Sequence, residues 1–488
     1  MPATFGFELS DAGFLAASCE GNDVRPLAVT DRSGATDWPG FASLEGSEYS
    51  FGRTAEDSWF VRPRFVAHTF WSKLTHEPSA IVVGGKPLSF SELAYFFLRE
   101  FAHRAIATGG APEKIVLAVP GAYLKDAVAE DEKIGFLLGM AADLKLPLAG
   151  VVDMACASLC DPHAPGFTPA LPVVVVDVQL EAAEFSLLAA HERLERKHYL
   201  QLPDSGYVRL MKHLTATMGN RFLRHTAFDI MEDGRIEQAF FRQTKEFLAR
   251  GAEEHRYQIN TVRRNYEMVA KHDQLAGDAR AFVDTLAQAL AGFVDHTGHA
   301  PGHCTIALTS RSATLPGLEA RLRGLGFLRQ LRLPAGAAAA GAARIGAHRL
   351  VAAVDLADVP VERSVPLSDT RRTAPATWET RLHKSRRKAL DRPPTHAILD
   401  GFGCSLAGRD AFTIGGAAAR PDLELPDAFS ADSNCLVALQ RESGRLWFSE
   451  ASAERAGMPP ILVDSGDRLS IRTGSAVAEI LFAHCSGA

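Results

Sequence analysis

The longest apolar run of the chain lies near Leu171–Val176, and its shortness limits the structures that the chain can form. A helix needs about 20 apolar residues to span a bilayer, so this run and the shorter ones predict no membrane span. The run VVVVDV is rich in β-branched residues, and the segments EFSLLAA and ERKHYLQL follow it at short intervals. This composition predicts a buried strand followed by further strands over residues 171–202.

Other segments predict strands and helices in alternation along the first 350 residues. Residues 5–19 and 25–30 surround Gly21-Asn22-Asp23 and predict a hairpin that opens a β-meander. A second set of patterns predicts a helix at 89–106 capped by Ser89 or Ser91, a strand at 114–119, a helix at about 125–144, a strand at 148–152, a helical insertion at about 205–296, a strand at 304–309 and a tightly packed Ala/Gly helix at 334–346. The fold class predicted for residues 1–364 is therefore α/β.

The sequence changes character after residue 364. Residues 365–394 combine many basic residues with Pro375, Pro393 and Pro394, which predicts a basic linker that is partly helical. Residues 395–488 contain short alternating runs, such as AFTIGG and RLSIRT, between Gly, Asp, Ser and Pro clusters. These features predict a small all-β sandwich.

Composition excludes some classes of protein. The formal net charge of −6 and the 47% hydrophobic content indicate a globular chain without an overall nucleic-acid-binding surface. The seven cysteines are an odd number scattered over a long chain, which favours reduced thiols over a disulfide framework. The first residues carry Glu8 and Asp11 within the apolar stretch and no preceding basic residue, unlike a secretory signal, so we expect a cytoplasmic protein.

Six motifs occur in an order that resembles the nucleotide-binding domain of the seventy-kilodalton heat-shock chaperones, in the actin-like ATPase superfamily. They are GFELSDAG, FSELAYFFLREF with KIVLAVPGAY, VVDMACASL, VVVVDVQLEAAEFSLL, ALTSRSATLPGL and PAGAAAAGAA. The resemblance covers roughly residues 5–350 and implies a two-lobed fold with ATP and Mg²⁺ between the lobes. It also implies that the first and fourth motifs are the two phosphate loops.

Both phosphate loops depart from the pattern that the resemblance implies. In the first loop, Glu8 replaces the metal-associated Asp, and Asp11 stands at a threonine position. In the second, Asp177 is followed by residues 178–182, with no glycine among them, and Glu181 would repel a phosphate by about 1 to 4 kcal/mol. Backbone that wraps phosphate needs glycine, so we expect ATP binding in the family's pose to be disfavoured.

The remaining positions of the expected nucleotide site are also altered. Ser310 and Arg311 stand at the usual glycine pair beside the adenosine, and Arg311 is expected to hold an acidic group of the protein instead. The catalytic Lys-Arg pair aligns only roughly with Ser72 and Lys73, and Asp153 lies near the usual glutamate position. The sequence therefore predicts no catalytic residue.

The C-terminal segment resembles a forkhead-associated domain, a β-sandwich that binds phosphothreonine. The motifs GRDAFTIGG, DLELPDAFS, RLWFSE and ILVDSGDRLSIRTG occur in the right order. The phosphate-binding positions implied by the resemblance are occupied by Gly416, Ser430, Ala431 and the region of Arg455, and Ser433 replaces a histidine. Because Ser430 alone keeps the expected residue type, we do not expect phosphopeptide recognition in the usual way.

Four further clusters have both a functional and a structural interpretation. Cys156, Cys160 and His163 have zinc-compatible spacing, although a buried helix is the alternative. The other three are a metal or pH-sensitive loop at His296, His299, His303 and Cys304, a cation site at Glu8, Asp153 and Asp177, and a polyanion-binding segment at 381–392. The structural alternatives are a solvated loop, a cleft without ligand and a solvated linker.

Two functional hypotheses follow. The first is a catalytically inactive, chaperone-like scaffold or adaptor that binds other proteins and needs no cofactor. The second is a divergent ATP-dependent chaperone or actin-like ATPase that uses ATP with Mg²⁺. The simultaneous loss of glycines from both loops favours the first hypothesis, because phosphoryl transfer requires positioning, metal and charge stabilisation together.

Overall fold

The chain divides into two compact units, residues 1–371 and 372–488. The computed structural model describes residues 3–75, 80–167, 171–190, 193–262, 264–351, 358–366, 378–385, 393–407, 411–415, 421–426, 436–442, 445–448, 461–473 and 476–485. The first unit is mixed α/β and the described part of the second is all β. None of the helices within these ranges is long and apolar enough to cross a membrane.

The strands of the first unit fall into two large sheets and three small ones. In chain order they are β1 (Thr4–Glu8), β2 (Leu15–Glu20), β3 (Asp23–Leu27), β4 (Ala42–Glu45), β5 (Glu48–Phe51), β6 (Val66–Ala67), β7 (Ala80–Val83), β8 (Lys86–Ser89), β9 (Lys114–Val119), β10 (Leu148–Asp153), β11 (Val173–Val178), β12 (Ala182–Ala190), β13 (Arg193–Pro203), β14 (Glu254–Asn260), β15 (Asn265–Lys271), β16 (Thr305–Leu308), β17 (Arg329–Arg332), β18 (Val361–Glu362) and β19 (Ser364–Pro366).

The helices of this unit vary from one turn to seven. They are α1 (Arg53–Glu56), α2 (Phe90–Gly109), α3 (Ala127–Asp143), α4 (Met154–Ser158), α5 (Tyr207–Thr226), α6 (Gly234–Arg250), α7 (His272–His296), α8 (Ser310–Ala313), α9 (Leu318–Gly324) and α10 (Ala337–Arg349). Short 3₁₀ turns lie at Pro63–Phe65, Gly121–Leu124, Ile230–Glu232 and Pro301–His303. Ser89 caps α2 by accepting the Glu92 N–H at 3.1 Å, which confirms the predicted start.

The two large sheets have the same topology over five strands. The first sheet has the order β18-β10-β9-β1-β2-β3 and the second has β17-β16-β11-β12-β13-β19. In the first, β1, β2 and β3 are antiparallel, β9 is parallel to β1, and β10 is parallel to β9. In the second, β11, β12 and β13 are antiparallel, β16 is parallel to β11, and β17 is parallel to β16. Strands β1 and β11 thus occupy equivalent positions.

Helices α4 and α10 pack between the two sheets in one hydrophobic cluster with residues of β9, β10, β11, β12 and β16. Small residues permit the close approach: a Cβ on Gly341 of α10 would lie 1.8 Å from the Ala157 carbonyl oxygen, and one on Gly6 of β1 would lie 2.0 Å from the Ala339 carbonyl oxygen. The prediction of a tightly packed Ala/Gly helix is therefore confirmed.

Two other hydrophobic cores complete the unit. Helices α2 and α3 cover the first sheet, where Phe7, Phe14, Phe97 and Phe101 are fully buried. Helices α5, α6 and α7 pack with the second sheet and with the β14–β15 hairpin. Residues 254–271, which the sequence analysis placed in a helical insertion, form this hairpin because EHRYQIN and NYEMVAK alternate inward and outward with period two.

The second unit contains two five-stranded sheets around one hydrophobic core, an arrangement compatible with a β-sandwich. Their orders are β20-β28-β29-β21-β22 and β24-β23-β25-β26-β27. The strands are β20 (Trp378–His383), β21 (His396–Leu399), β22 (Phe402–Ser405), β23 (Ala411–Gly415), β24 (Leu423–Glu424), β25 (Leu436–Glu442), β26 (Arg445–Phe448), β27 (Ile461–Val463), β28 (Arg468–Thr473) and β29 (Ala476–Ala483).

Part of the predicted basic linker belongs to this second unit. Residues 378–383 form strand β20, which pairs with β28. Lys384 follows it, and its Nζ lies 2.8 Å from an Asp464 oxygen and 2.7 Å from an Asp467 oxygen. These residues stay largely exposed, but they belong to a sheet of the second unit and not to a linker, and the acids that partner Lys384 are about 80 residues away in sequence.

The packing of α10 can be tested with two glycine substitutions in helices. We expect Gly341→Ala to lower the free energy of unfolding by about 1 to 3 kcal/mol, because its Cβ would overlap the Ala157 carbonyl. Gly277→Ala in α7 is the matched control, since an added Cβ meets no atom within 4 Å there. It should raise stability by up to about 1 kcal/mol through helix propensity. Urea unfolding measures both changes, and equal effects would contradict the close packing.

Candidate functional site

The turns that follow β1 and β11 meet in the gap between the two sheets, which we call the cleft. Asp11 lies in the turn after β1, and Leu180 lies in the turn after β11. The Leu180 N–H donates a hydrogen bond of 2.8 Å to Asp11 Oδ1. The buried Asp11 carboxylate of the first turn therefore accepts a hydrogen bond from a backbone N–H group of the second turn.

Arg311 connects the ends of the same two strands from helix α8. Its Nη2 lies 3.1 Å from Glu8 Oε1 and 3.5 Å from Asp177 Oδ1. The Arg311 side chain is 17% exposed. Glu8 ends β1 and Asp177 lies in β11, so this guanidinium links both sheets. The prediction that Arg311 holds an acidic group of the protein is confirmed.

Two neutral side chains also donate hydrogen bonds to the Asp177 carboxylate. The Thr309 hydroxyl donates to Asp177 Oδ1 at 2.9 Å, and the Gln179 side-chain amide donates to Asp177 Oδ2 at 3.3 Å. The Ser312 hydroxyl accepts the Val178 N–H at 3.0 Å. Both carboxylate oxygens of Asp177 therefore have donors, as buried polar groups require.

Asp153 takes part in a separate contact across the cleft. It caps α4, because its Oδ1 accepts the Ala155 N–H at 2.9 Å and the Cys156 N–H at 3.2 Å. Its Oδ2 lies 3.1 Å from Nη1 of Arg196, which comes from β13 in the second sheet. Burial raises the pKa of Asp153, although the Arg196 charge opposes that shift. Asp153 is thus a structural cap and ion-pair partner.

Two further carboxylates bridge the cleft. Glu184, in the middle of β12, accepts the Gly121 N–H at 3.0 Å from the turn after β9. Glu181 lies 2.7 Å from His68 Nδ1, whose ring packs against Trp59. Glu181, the carboxylate that was predicted to repel a phosphate, therefore has His68 as its partner within the protein.

The burial of these acids shifts their titration. Burial raises the pKa of Asp11 to about 7, with Glu181 and Asp177 adding to the shift. Burial, together with the nearby Asp177 charge, raises the pKa of Glu184 to about 8. Burial likewise raises the pKa of Glu8 despite the opposing Arg311 charge. The cleft is therefore an environment where protons are retained near neutral pH.

The space left between these contacts is small. A cavity of about 30 Å³ is lined in part by Glu8, Asp177, Glu184, Thr309 and Ser310. A single water needs about 10 to 15 Å³ by the same measure, whereas small-molecule sites are usually about 300 Å³ or more. The cavity has room for water but not for a nucleoside triphosphate.

Helix α6, which belongs to the helical insertion, contacts helix α1 and the segment that follows it. Lys245 of α6 lies 2.8 Å from both carboxylate oxygens of Glu56 in α1, and Glu56 is 2% exposed. The rings of Trp59 and Phe241 pack edge to face with centroids 5.7 Å apart. Hydrophobic packing and a buried ion pair thus hold the insertion against the segment after β5.

The structure separates several residues that the sequence analysis grouped. Asp153 pairs with Arg196 and not with Glu8 and Asp177. Lys73 is exposed, with its Nζ 5.8 Å from the Phe90 ring centroid, and it does not line the cavity. Within the described ranges, no group of three or more His, Cys, Asp or Glu side chains is arranged to hold a metal ion, which applies to the Cys156–His163, His296–Cys304 and Glu8–Asp153–Asp177 clusters.

Other predicted site residues fall elsewhere. Cys156 and Cys160 are fully buried at helix α4, in agreement with the buried-helix alternative. Gly416, Ser430, Ala431, Ser433 and Arg455 lie outside the described residues.

Sequence reasoning missed Glu184 and Arg196. A signal for Glu184 was present, because a charged residue inside the apolar strand AAEFSLLAA is unusual unless it has a partner. No comparable signal marks Arg196 in RLERKHYLQLP, because it is one of four basic residues on a half-exposed strand.

The comparisons with known proteins give no family assignment. No protein-family model matches the chain, and no curated protein sequence matches it.

The Arg311 contacts predict a large effect on stability. Arg311→Met should lower the free energy of unfolding by about 3 to 5 kcal/mol, since it leaves Glu8 and Asp177 buried without the guanidinium. Adding Glu8→Gln should recover part of the loss, because one buried charge is removed. Denaturant unfolding gives both values.

An exposed ion pair provides the control. Arg321 Nε lies 2.7 Å from Asp284 Oδ1, and both side chains are 38% exposed. Arg321→Met should cost about 1 kcal/mol or less. A similarly small loss for Arg311→Met would show that the cleft ion pairs do not hold the sheets together.

Proposed function

We propose that the chain is a catalytically inactive, chaperone-like scaffold or adaptor protein. In this proposal the first unit has the two-lobed actin-like ATPase fold with a permanently filled nucleotide cleft. The second unit is a forkhead-associated-like β-sandwich. Both present surfaces to other proteins in a cytoplasmic assembly, and neither membrane nor nucleic acid is required.

The duplicated sheet topology supports the fold part of the proposal. Two meanders, each extended by two parallel strands, place the ends of β1 and β11 opposite each other. The motifs GFELSDAG and VVVVDVQLEAAEFSLL, which resemble the two phosphate loops, include these strand ends and the turns that follow them. This agreement supports the proposal that the two turns correspond to the phosphate loops of a nucleotide site.

The observation that carries the inactive assignment is the direct contact between these turns. Backbone N–H groups of the second phosphate loop hold phosphate oxygens in the resembling family, whereas here the Leu180 N–H is occupied by Asp11. Arg311, which the resemblance places at the adenosine position, forms ion pairs with Glu8 and Asp177. Bound ATP would have to displace these contacts and leave several carboxylates close to its phosphates, which electrostatic repulsion disfavours.

Scaffold function follows from the loss of the ligand-controlled cleft. In an ATPase of this fold, nucleotide shifts the relative population of open and closed states through its different affinity for them. A protein whose own side chains fill the site has lost that control. In this proposal the function then depends on surfaces that bind other proteins.

Thermal unfolding with and without millimolar ATP and Mg²⁺ tests the proposal. We expect no shift in the melting temperature of the full chain. A ligand at 100 times its dissociation constant would add about 2.7 kcal/mol, or roughly 3 °C for a unit of this size. Direct titration with a fluorescent ATP analogue serves as a second readout that does not depend on which unit melts first.

The outcomes separate the two hypotheses. No shift and no fluorescent binding support the scaffold. A shift with ATP–Mg²⁺ that Arg311→Met enlarges would show that nucleotide enters by displacing the guanidinium, and would support the divergent ATP-dependent chaperone instead. Since that variant is destabilised, its own melting temperature without nucleotide is the baseline.

A further inference from the structure

Two buried carboxylates bridge the cleft in opposite directions. Asp11 reaches from the first sheet to the Leu180 N–H of the second, and it is 6% exposed. Glu184 reaches from the second sheet to the Gly121 N–H at the end of β9 in the first, and it is 4% exposed. Separation of the sheets at this level would break both hydrogen bonds and expose both carboxylates to water.

The two carboxylates face more acids than bases. Arg311 supplies one positive charge to Glu8, Asp11 and Asp177, and Arg196 is paired with Asp153. Glu184 lies near Asp177 and Asp11. The titratable and charged groups that surround the pair are Glu8, Asp177 and Glu181 among the acids, Tyr123 and Tyr199 among the phenols, and His68, Arg196 and Arg311 among the bases.

The Gly121 turn leaves little room for hydration in the closed arrangement. A Cβ on Gly121 would lie 2.5 Å from the Tyr199 ring and 2.6 Å from Arg196 Nη1, so the turn that donates to Glu184 is closely packed by these two side chains. The adjoining cavity of about 30 Å³ is too small for the water shell of an ionised carboxylate. Ionisation of Asp11 or Glu184 is therefore opposed as long as the cleft stays closed.

We propose that Asp11 and Glu184 form a pH-responsive latch, which holds the two sheets together at acidic to neutral pH and loosens the cleft as the solution becomes alkaline. The latch rests on the geometry of the closed cleft and not on the scaffold role, so either idea can fail alone. Loosening would expose cleft walls that are otherwise buried.

The direction of the pH effect on cleft opening follows from the linkage between protonation and opening. The pKa values of about 7 for Asp11 and about 8 for Glu184 are above the ordinary values, so the closed cleft binds these protons more tightly than a hydrated, open one. Near pH 4 and below, both states are protonated and opening is independent of pH. Between its ordinary and its raised pKa, each carboxylate increases the equilibrium constant for opening by up to about ten-fold per pH unit. Above about pH 8 the equilibrium constant no longer rises with pH.

Hydrogen exchange by mass spectrometry on the full chain tests the latch. We expect the open population reported by segments that contain Leu180 and Gly121 to rise about ten-fold or more between pH 6 and pH 8, after correction for the intrinsic pH dependence of exchange. The β11 amides, within the same sheet, should change less, because local opening leaves the strand ladder intact. Equal changes in β11 would indicate global unfolding and overturn the latch.

Isosteric variants identify the groups responsible. Asp11→Asn and Glu184→Gln keep an acceptor oxygen for Leu180 and Gly121 but cannot ionise, so the double variant should abolish the pH-dependent rise and stay closed at pH 8. Asp126→Asn is the matched control, since Asp126 also accepts a backbone N–H, from Ala129 at 2.8 Å, but is exposed. In this control the open population should still rise between pH 6 and pH 8. A rise that survives in the double variant, or one absent from the unmodified chain, would overturn the proposal.

Discussion

The hydrogen bond between the Leu180 N–H and the Asp11 carboxylate fixes the relation between the two turns that follow β1 and β11. The bond joins equivalent positions of the two sheets, since β1 and β11 occupy the same place in a five-stranded topology that occurs twice. Once the turns are in contact, Glu8 and Asp177 lie close enough to share Arg311. The interior of the cleft is thus determined by polar groups that must be satisfied within the protein.

Close packing of α4 and α10 is the condition for this contact. Alanine and glycine line α10, and its backbone approaches both Gly6 in β1 and Ala157 in α4. Larger side chains would separate the first and second sheets and lengthen the polar contacts beyond hydrogen-bonding distance. The apolar core and the polar cleft therefore depend on each other, because the same helices set the distance between the sheets.

Acidic residues that are buried in the cleft must be compensated by other groups. Ionised carboxylates need cations or N–H donors, and Arg311 and Arg196 provide only part of the compensation that Glu8, Asp11, Asp153, Asp177 and Glu184 require. Protons retained on Asp11 and Glu184, whose pKa values burial raises to about 7 and about 8, relieve part of the remaining charge. A nucleotide would add negative charge to this environment, whereas a proton relieves it. The same arrangement thus supports both proposals, that ATP does not bind in the cleft and that the cleft responds to pH.

The sequence by itself predicted the central strands of the two large sheets and several helices of the first unit, because their apolar periodicity is strong: β9 spans Lys114–Val119 as predicted, and the Ala/Gly pattern identified α10. The resemblance also predicts that Glu181, Ser310 and Arg311 stand where a nucleotide site would need smaller residues, and this stays a prediction. Period-two alternation in 254–271 and the strand at 378–383 were overlooked, since short polar strands resemble helix or linker composition. Only the tertiary structure decided that Arg311 pairs with Glu8 and Asp177, that Arg196 pairs with Asp153, and that Glu184 reaches Gly121. Those partners are separated by about 40 to 300 residues in sequence, and the distance between them is set by how the two sheets pack, which no local pattern encodes.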